Sequence, residues 1–269
     1  MITSSKNQHR YVLMDASEIC SAADEHSKWM RYQTTLHSGF SYEKFRRQVT
    51  TGDESLVERS EAVLKKIEDQ VPVSRGWRNL DDVVGAVPNV PAFLAGHPQC
   101  MRRRERVARD SAPLTIFMDL ASSMGIPKDN ILQRGIVLLA LVRMLVEHRS
   151  VELWVGTSLS CFHNGKPVSG TAAWRIDTTP LDLARSSFHI ADPSMSRVFG
   201  YAMCETLFDR HLSGDNRQYE EMMAGLKETA GWSEVLMIPK IHIYDQMVTD
   251  PVGWVKNAMR KYVPQGDES

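Results

Sequence analysis

The sequence predicts an α/β fold: a doubly wound, mostly parallel sheet with helices on both faces, preceded by N-terminal helices and a proline-rich strap. Three observations carry this reading. Leu114-Thr115-Ile116-Phe117-Met118 is a short apolar run closed by Asp119, the pattern of a strand buried on both faces. Ile131 to His148 is strongly apolar over several helical turns. Val151-Glu152-Leu153-Trp154-Val155 is a second strand-like run, and a helix between two such strands makes a βαβ unit.

The remaining elements follow in order. Ala16 to Tyr32 reads as helical. Ser41 can cap a helix carrying Phe45 and Val49, and after the Thr51-Gly52-Asp53 break a second helix carries Leu56, Val63, Leu64 and Ile67. Residues 1–70 are therefore expected to form an N-terminal helical region. The strap is placed at 71–111, and Pro72, Pro88, Pro91, Pro98 and Pro113 punctuate residues 71–113, a spacing that argues against any regular helix or sheet. The same stretch holds Val87, Val90, Phe93, Leu94 and Met101, so it is expected to be an ordered, packed strap rather than a solvated linker. The α/β domain is placed at 112–263. After its βαβ unit, Asn164-Gly165 marks a turn and Ala172 to Ile176 a third strand. Ser196 to Arg210 reads as a helix with Val198, Phe199, Ala202, Met203 and Leu207 inward, and Glu220 to Glu228 as a more polar helix. Val235 to Ile238 and Ile241 to Tyr244 read as strands. Pro251 after Asp250 starts the last helix, and 264–269 is a tail.

Composition bounds the function. The 269 residues carry 32 basic against 33 acidic side chains, a formal charge of -1, which excludes a wholly basic nucleic-acid coat or an acidic disordered tail. The hydrophobic share of 42% is enough for a sizeable core without disulfides or metal. No apolar stretch reaches the ~20 residues of a membrane span, so no membrane partner is expected. The start has no apolar core of signal-peptide length, and the four cysteines form no CxxC pair. The expected compartment is the cytoplasm, with reduced thiols.

One loop carries chemistry. Asp119 closes the first strand of the α/β domain, where such sheets present ligands. Ser122 and Ser123 follow, and a carboxylate with hydroxyls suits a hard cation such as Mg²⁺. Here Asp119-Leu120-Ala121-Ser122-Ser123 resembles the Asp-x-Ser-x-Ser metal motif of the von Willebrand factor A family, with Ala121 in place of the middle serine. The resemblance, which spans about residues 112–263, implies a second loop at Ser196 (or Ser194) and a third at Asp245 (or Asp250). It also implies a binding or assembly module before a catalyst. The segment GAVPNVPAFLAGHPQCM is similar to a strap that precedes such a domain in tailed-phage proteins, which implies a phage or prophage setting and action in the host cytoplasm.

A second constellation is the run Arg102, Arg103, Arg104, Arg106 and Arg109, interrupted by Glu105. Guanidinium groups suit phosphates, so RNA or DNA is the alternative partner. The competing reading pairs these arginines with the protein's own Asp81 and Asp82. The nine histidines are scattered, and the Gly-x-Ser-x-Gly, Walker A and GxGxxG signatures are absent. No catalytic residue is assigned. The leading expectation is a non-enzymatic module that binds a protein partner at the top of the sheet, around Asp119, Ser123 and Ser196, through Mg²⁺. A metal-dependent hydrolase built on Asp119 ranks third.

Overall fold

Two-residue alternation of apolar side chains along four central strands decides the architecture. The computed structural model describes every residue except 7, 37–40, 72–76, 86, 107–112, 123–124, 164, 213–218 and 264–269. The chain runs β1 (Ile2–Lys6), β2 (His9–Asp15), α1 (Ile19–Glu25), α2 (Ser27–Leu36), α3 (Tyr42–Thr51) and α4 (Glu54–Gln70). Next come β3 (Trp77–Asp82), β4 (Val87–Pro88), α5 (Val90–Leu94) and β5 (Met101–Arg106). Then follow β6 (Leu114–Asp119), α6 (Lys128–Val146), β7 (Val151–His163), β8 (Lys166–Ile176) and α7 (Leu183–Ala191). A π-helical turn, Met195–Gly200, leads into α8 (Tyr201–Thr206), and the chain closes with α9 (Tyr219–Ala230), β9 (Glu234–Ile238), α10 (Gln246–Thr249) and α11 (Pro251–Tyr262).

The main sheet has the order β1-β2-β8-β7-β6-β9. Successive side chains point to opposite faces of a strand. On one face lie Tyr11, Leu13, Phe117, Ala173 and Trp154, covered by Met222, Met223 and Leu226 of α9 and by Trp232. On the other lie Val12, Met14, Ile116, Met118, Leu153, Val155, Ala172 and Trp174, in the larger core shared with α6, α7 and α8. The protein is thus α/β with helices on both faces, as the sequence predicts.

The sheet is mixed. β6 is parallel to both neighbours, β7 and β9, and β2 is parallel to β8, whereas β1–β2 and β7–β8 are antiparallel. The β6-α6-β7 unit stands where the sequence puts it. α6 is apolar all round because it is buried all round: Ile136 to Val142 are almost completely inaccessible, with α4, α7 and α11 packed against the helix. The caps also follow the sequence. Ser41 Oγ accepts the amide of Lys44 at 3.1 Å, and Asp250 accepts that of Gly253 at 3.0 Å ahead of Pro251.

Several expectations need correction. Residues 1–70 are not helical throughout, since residues 2–15 form two strands of the main sheet. β8 begins at Lys166, six residues before Ala172. The hydroxyls that make this hairpin look polar are buried, and Ser158 pairs with Thr171 across it at 3.3 Å. Ile241 to Tyr244 is a bend rather than a strand.

The strap, finally, contains a second sheet, ordered β3-β5-β4. Its prolines fall outside β3 and β5, and Pro88 sits in a two-residue edge strand, where a missing amide is tolerated. Nor is the strap packed. None of its described side chains from 81 to 103 is buried. Among the described residues, no helix is long and apolar enough to cross a membrane.

Two arginines hold the edge strand β9. Arg149, in the turn after α6, pairs with Glu234 at the start of β9 at 2.5 Å. Arg134, inside α6, reaches the residues just past its end.

Close helix packing offers a test of this architecture. A Cβ at Gly135 of α6 would lie 2.6 Å from Ala191 Cβ and 2.9 Å from its Cα. Alanine there gains up to ~1 kcal/mol of helix propensity but overpacks by ~1–3 kcal/mol. We expect Gly135→Ala to lower stability by about 1–2 kcal/mol in urea denaturation. An unchanged or raised midpoint would show that α6 and α7 are not in contact at this position.

Candidate functional site

The site forms at the carboxyl ends of β6 and β9, which run parallel and so finish at the same rim. Asp119 ends β6 with 0% exposure. Its Oδ1 accepts the amide of Ala121 at 2.9 Å, which closes the turn after the strand. Its Oδ2 has no partner at hydrogen-bond geometry, although Ser158 and Tyr219 bear on the carboxylate electrostatically. Burial raises this carboxyl from the ordinary 3.8 to about 6, against the opposing pull of the Ala121 amide and the Arg134 charge.

Arg134 is the hub. It comes from the second turn of α6 and is 3% exposed. Nη1 donates to the Asp119 carbonyl at 3.0 Å, Nη2 donates to the Pro239 carbonyl, and Nε stands 2.9 Å from Asp245 Oδ2. Burial pulls the guanidinium down, while Asp245 and then Asp119 hold it up. Asp245 also caps α10, accepting the Met247 amide at 2.8 Å. A second buried arginine, Arg197 of the π-helical turn, donates to Ser122 Oγ at 3.4 Å and to the Ile126 carbonyl at 3.3 Å. Tyr201 donates to the Ser122 carbonyl at 3.3 Å. Burial, then the nearby Asp119 charge, pushes this phenol up to about 12. The loop after β6 is therefore tied down by donors from α6, the π-helical turn and α8.

The sequence-derived site is placed only in part. Asp119 and Asp245 do meet at one rim, but around a guanidinium. Ser196 is buried in the π-helical turn, where its hydroxyl donates to Pro193 of the same turn at 3.2 Å. Ser123 lies outside the described residues. These residues do not fit Mg²⁺. Arg134 is already the ion-pair partner of Asp245 and bears on Asp119 through its charge, Asp119 is sealed from water, and the Ser196 hydroxyl is engaged. Among the described residues, no three His, Cys, Asp or Glu side chains converge on a metal position. Sequence reasoning missed Arg134, whose signal is a cation set beside the long apolar run of α6.

In the arginine run, Arg102 stands 3.7 Å from Asp81 and Arg103 stands 3.3 Å from Asp82, across the β3–β5 ladder. Two of the five cations are thus paired within the arm. Arg104 and Arg106 lie on β5, but their side chains lie outside the described residues, as does the whole of Arg109.

Two large apolar side chains stand accessible at the rim, beside the exposed His242 and Gln246. Beyond β9 the chain buries Ile241 (5% exposed) and then lifts Ile243 (70%) and Tyr244 (87%) into solvent before Asp245 anchors it again. The Asp245 amide donates to the His242 carbonyl at 3.1 Å, so the bend is closed on itself.

A family model described as a domain of unknown function (DUF7192) matches residues 3–247, from within β1 to within α10. No curated protein matches, and no solved structure does.

The Arg134–Asp245 pair can be tested by removing one partner. A buried charge left uncompensated costs about 3–5 kcal/mol. Asp245→Ala should therefore lower stability by an amount in that range in urea denaturation, more than the loss of a helix cap alone (~1 kcal/mol). A loss no larger than the cap value would mean that Arg134 finds water instead.

Two buried groups give opposing pH dependences. Asp119 is raised on folding, so its contribution is complete below 3.8 and is lost as pH rises through about 6. His189 Nε2 donates to the Val49 carbonyl at 3.0 Å, and its pKa is lowered by burial from 6.5 to about 4. Its contribution is complete above 6.5 and is lost as pH falls through about 4. Between pH 4 and 6 the two slopes oppose. In urea midpoints taken across that window, Asp119→Asn should become less stable on acidification and His189→Gln more stable. Parallel curves for the two variants would contradict the assigned burial.

Proposed function

Proceeding from a chain that belongs to the DUF7192 family, we propose that it is a non-enzymatic interaction module that binds a protein partner at the carboxyl end of the sheet. Ile243 and Tyr244 are the contact residues, and the Arg134–Asp245 pair is the fixture that presents them. The observation that carries this reading is the pair of large apolar side chains held almost fully in solvent by a bend whose two ends are anchored. Tyrosine is among the residues most enriched at interface hot spots, since it adds much contact area at little entropic cost. Presenting it on a fixed bend lowers that cost further.

The titratable groups support binding rather than turnover. Asp119, Cys204 and His189 are a buried acid, thiol and imidazole of the described core, as are Glu205, His9 and His148, and each of them is shielded from a substrate. Burial pushes the Cys204 thiol far up, away from the reactive thiolate. Docking at this rim needs no bridging cation, because Asp245 already has the internal guanidinium as its counterion and Asp119 is buried.

The test is affinity capture with the full chain as bait, followed by measurement of the captured protein's affinity. A hot-spot loss of at least ~2 kcal/mol corresponds to about 30-fold in affinity. Ile243→Ala/Tyr244→Ala should weaken binding by at least that factor with the thermal midpoint unchanged, and EDTA should leave binding as it is. Equal affinity in the variant, or loss of binding in EDTA, would overturn the reading.

A further inference from the structure

Residues 83–96, Val-Val-Gly-Ala-Val-Pro-Asn-Val-Pro-Ala-Phe-Leu-Ala-Gly, hold no charged side chain. Soluble proteins tolerate single exposed apolar residues, but a contiguous apolar surface marks an interaction site. Here Val83, Val84, Val87, Val90, Phe93 and Leu94 are each between 55% and 78% exposed. Val90, Phe93 and Leu94 are three and four residues apart on α5 and so share one side of that helix.

The segment is held in shape while it exposes this surface. The Asn89 amide donates to the Cys100 carbonyl at 2.7 Å. Asn89 Oδ1 caps α5 through the Ala92 amide at 3.4 Å. At Gly85 the backbone runs so close to β5 that a Cβ would lie 2.4 Å from the Arg102 carbonyl oxygen. The small sheet beneath supplies no cover, since none of its described side chains is buried.

We infer that this surface is the interface between two copies of the chain, joined arm to arm through Phe93 and Leu94. Area is the first argument. The six side chains present roughly 700 Å² of surface, against the ~800 Å² per partner of a standard stable interface. Charge is the second. Interfaces between identical subunits are depleted of charge at their centre, and a two-fold contact sets each patch against itself. A patch with no charged residue meets its own copy without like-charge repulsion. The flanking arginines Arg102 and Arg103 carry their counterions, Asp81 and Asp82, with them. A polyanion or an acidic protein would find these cations already engaged and the adjacent surface without charge. A second arm meets neither obstacle.

The experiment is sedimentation equilibrium of the full chain across a concentration series, with hydrogen exchange measured on the same samples. The wild type should sediment at twice the 30.4 kDa of one chain. Amides of 83–96 should gain protection as concentration rises. Phe93→Asp/Leu94→Asp should weaken dimerisation at least ~100-fold with the thermal transition of the main body unchanged, since each charge would be buried against its own copy. Ile243→Ala/Tyr244→Ala should leave the dimer intact, which separates this interface from partner binding at the sheet rim. A wild-type monomer at about 100 μM, where standard interfaces are saturated, would overturn the inference and assign the patch to another occupant. A dimer that survives Phe93→Asp/Leu94→Asp would overturn it equally.

Discussion

The buried guanidinium of Arg134 organises the carboxyl end of the sheet. An arginine does not escape burial by losing its proton, so each of its donors must be answered where it stands. The answers come from two parts of the chain far apart in sequence: the Asp119 carbonyl, backed by the charge of the Asp119 carboxylate, and the Pro239 carbonyl with the Asp245 carboxylate. A single side chain thereby fixes the end of β6, the exit of β9 and the start of α10. With Arg149 on Glu234, it also holds β9 at both ends. That matters because β9 is an edge strand with one ladder partner, β6. Ion pairs of this kind are weak evidence for net stability but strong constraints on geometry, since breaking one strands a charge in the interior.

That constraint explains why the rim looks like a metal site in sequence and is not one in structure. An Asp after a buried strand and a second Asp after a later strand do meet at this rim. The positive charge they surround is supplied by the chain itself. Asp119 is then free to be buried, at the cost of a raised pKa, and the loop after it is stitched down by Arg197 and Tyr201. The rim keeps its shape with nothing bound, so the exposed Ile243 and Tyr244 are presented in a fixed position.

Sequence legibility tracks burial. β6, α6 and β7 were readable because each is largely buried and shows as a predominantly apolar run. The β1–β2 hairpin was readable in principle: Tyr11-Val12-Leu13-Met14 closed by Asp15 repeats the pattern of β6. It is short and terminal, and it precedes a helix rather than a strand, so the βαβ rhythm does not flag it. The long β7–β8 hairpin was half hidden by buried hydroxyls, of which Ser158 and Thr171 pair across the ladder. The β3-β5-β4 sheet was invisible for a deeper reason. Periodicity reports a buried face, and Met-Arg-Arg-Arg-Glu-Arg has none to report. Its strand is set by the backbone ladder and by ion pairs to Asp81 and Asp82. Arg134 was visible as a residue, but its partners lie about 15 and 110 positions away, beyond any local pattern.

The arm and the body meet the same physical demand in opposite ways. The body buries its apolar residues on both faces of one sheet, with buried charges placed only where partners converge. The arm is a three-stranded sheet with no buried side chain among those described, and small sheets without a covered apolar face are marginal in water. Its order therefore rests on hydrogen bonds and exposed ion pairs, each worth at most ~1 kcal/mol. Covering six large apolar side chains adds several times as much, at ~25 cal/mol per Å². Association and the ordering of the arm are then one linked equilibrium, because whatever binds only the ordered arm stabilises it by mass action. The uncharged stretch from Val83 to Gly96 is better understood as half of a core, completed outside the single chain, than as a strap.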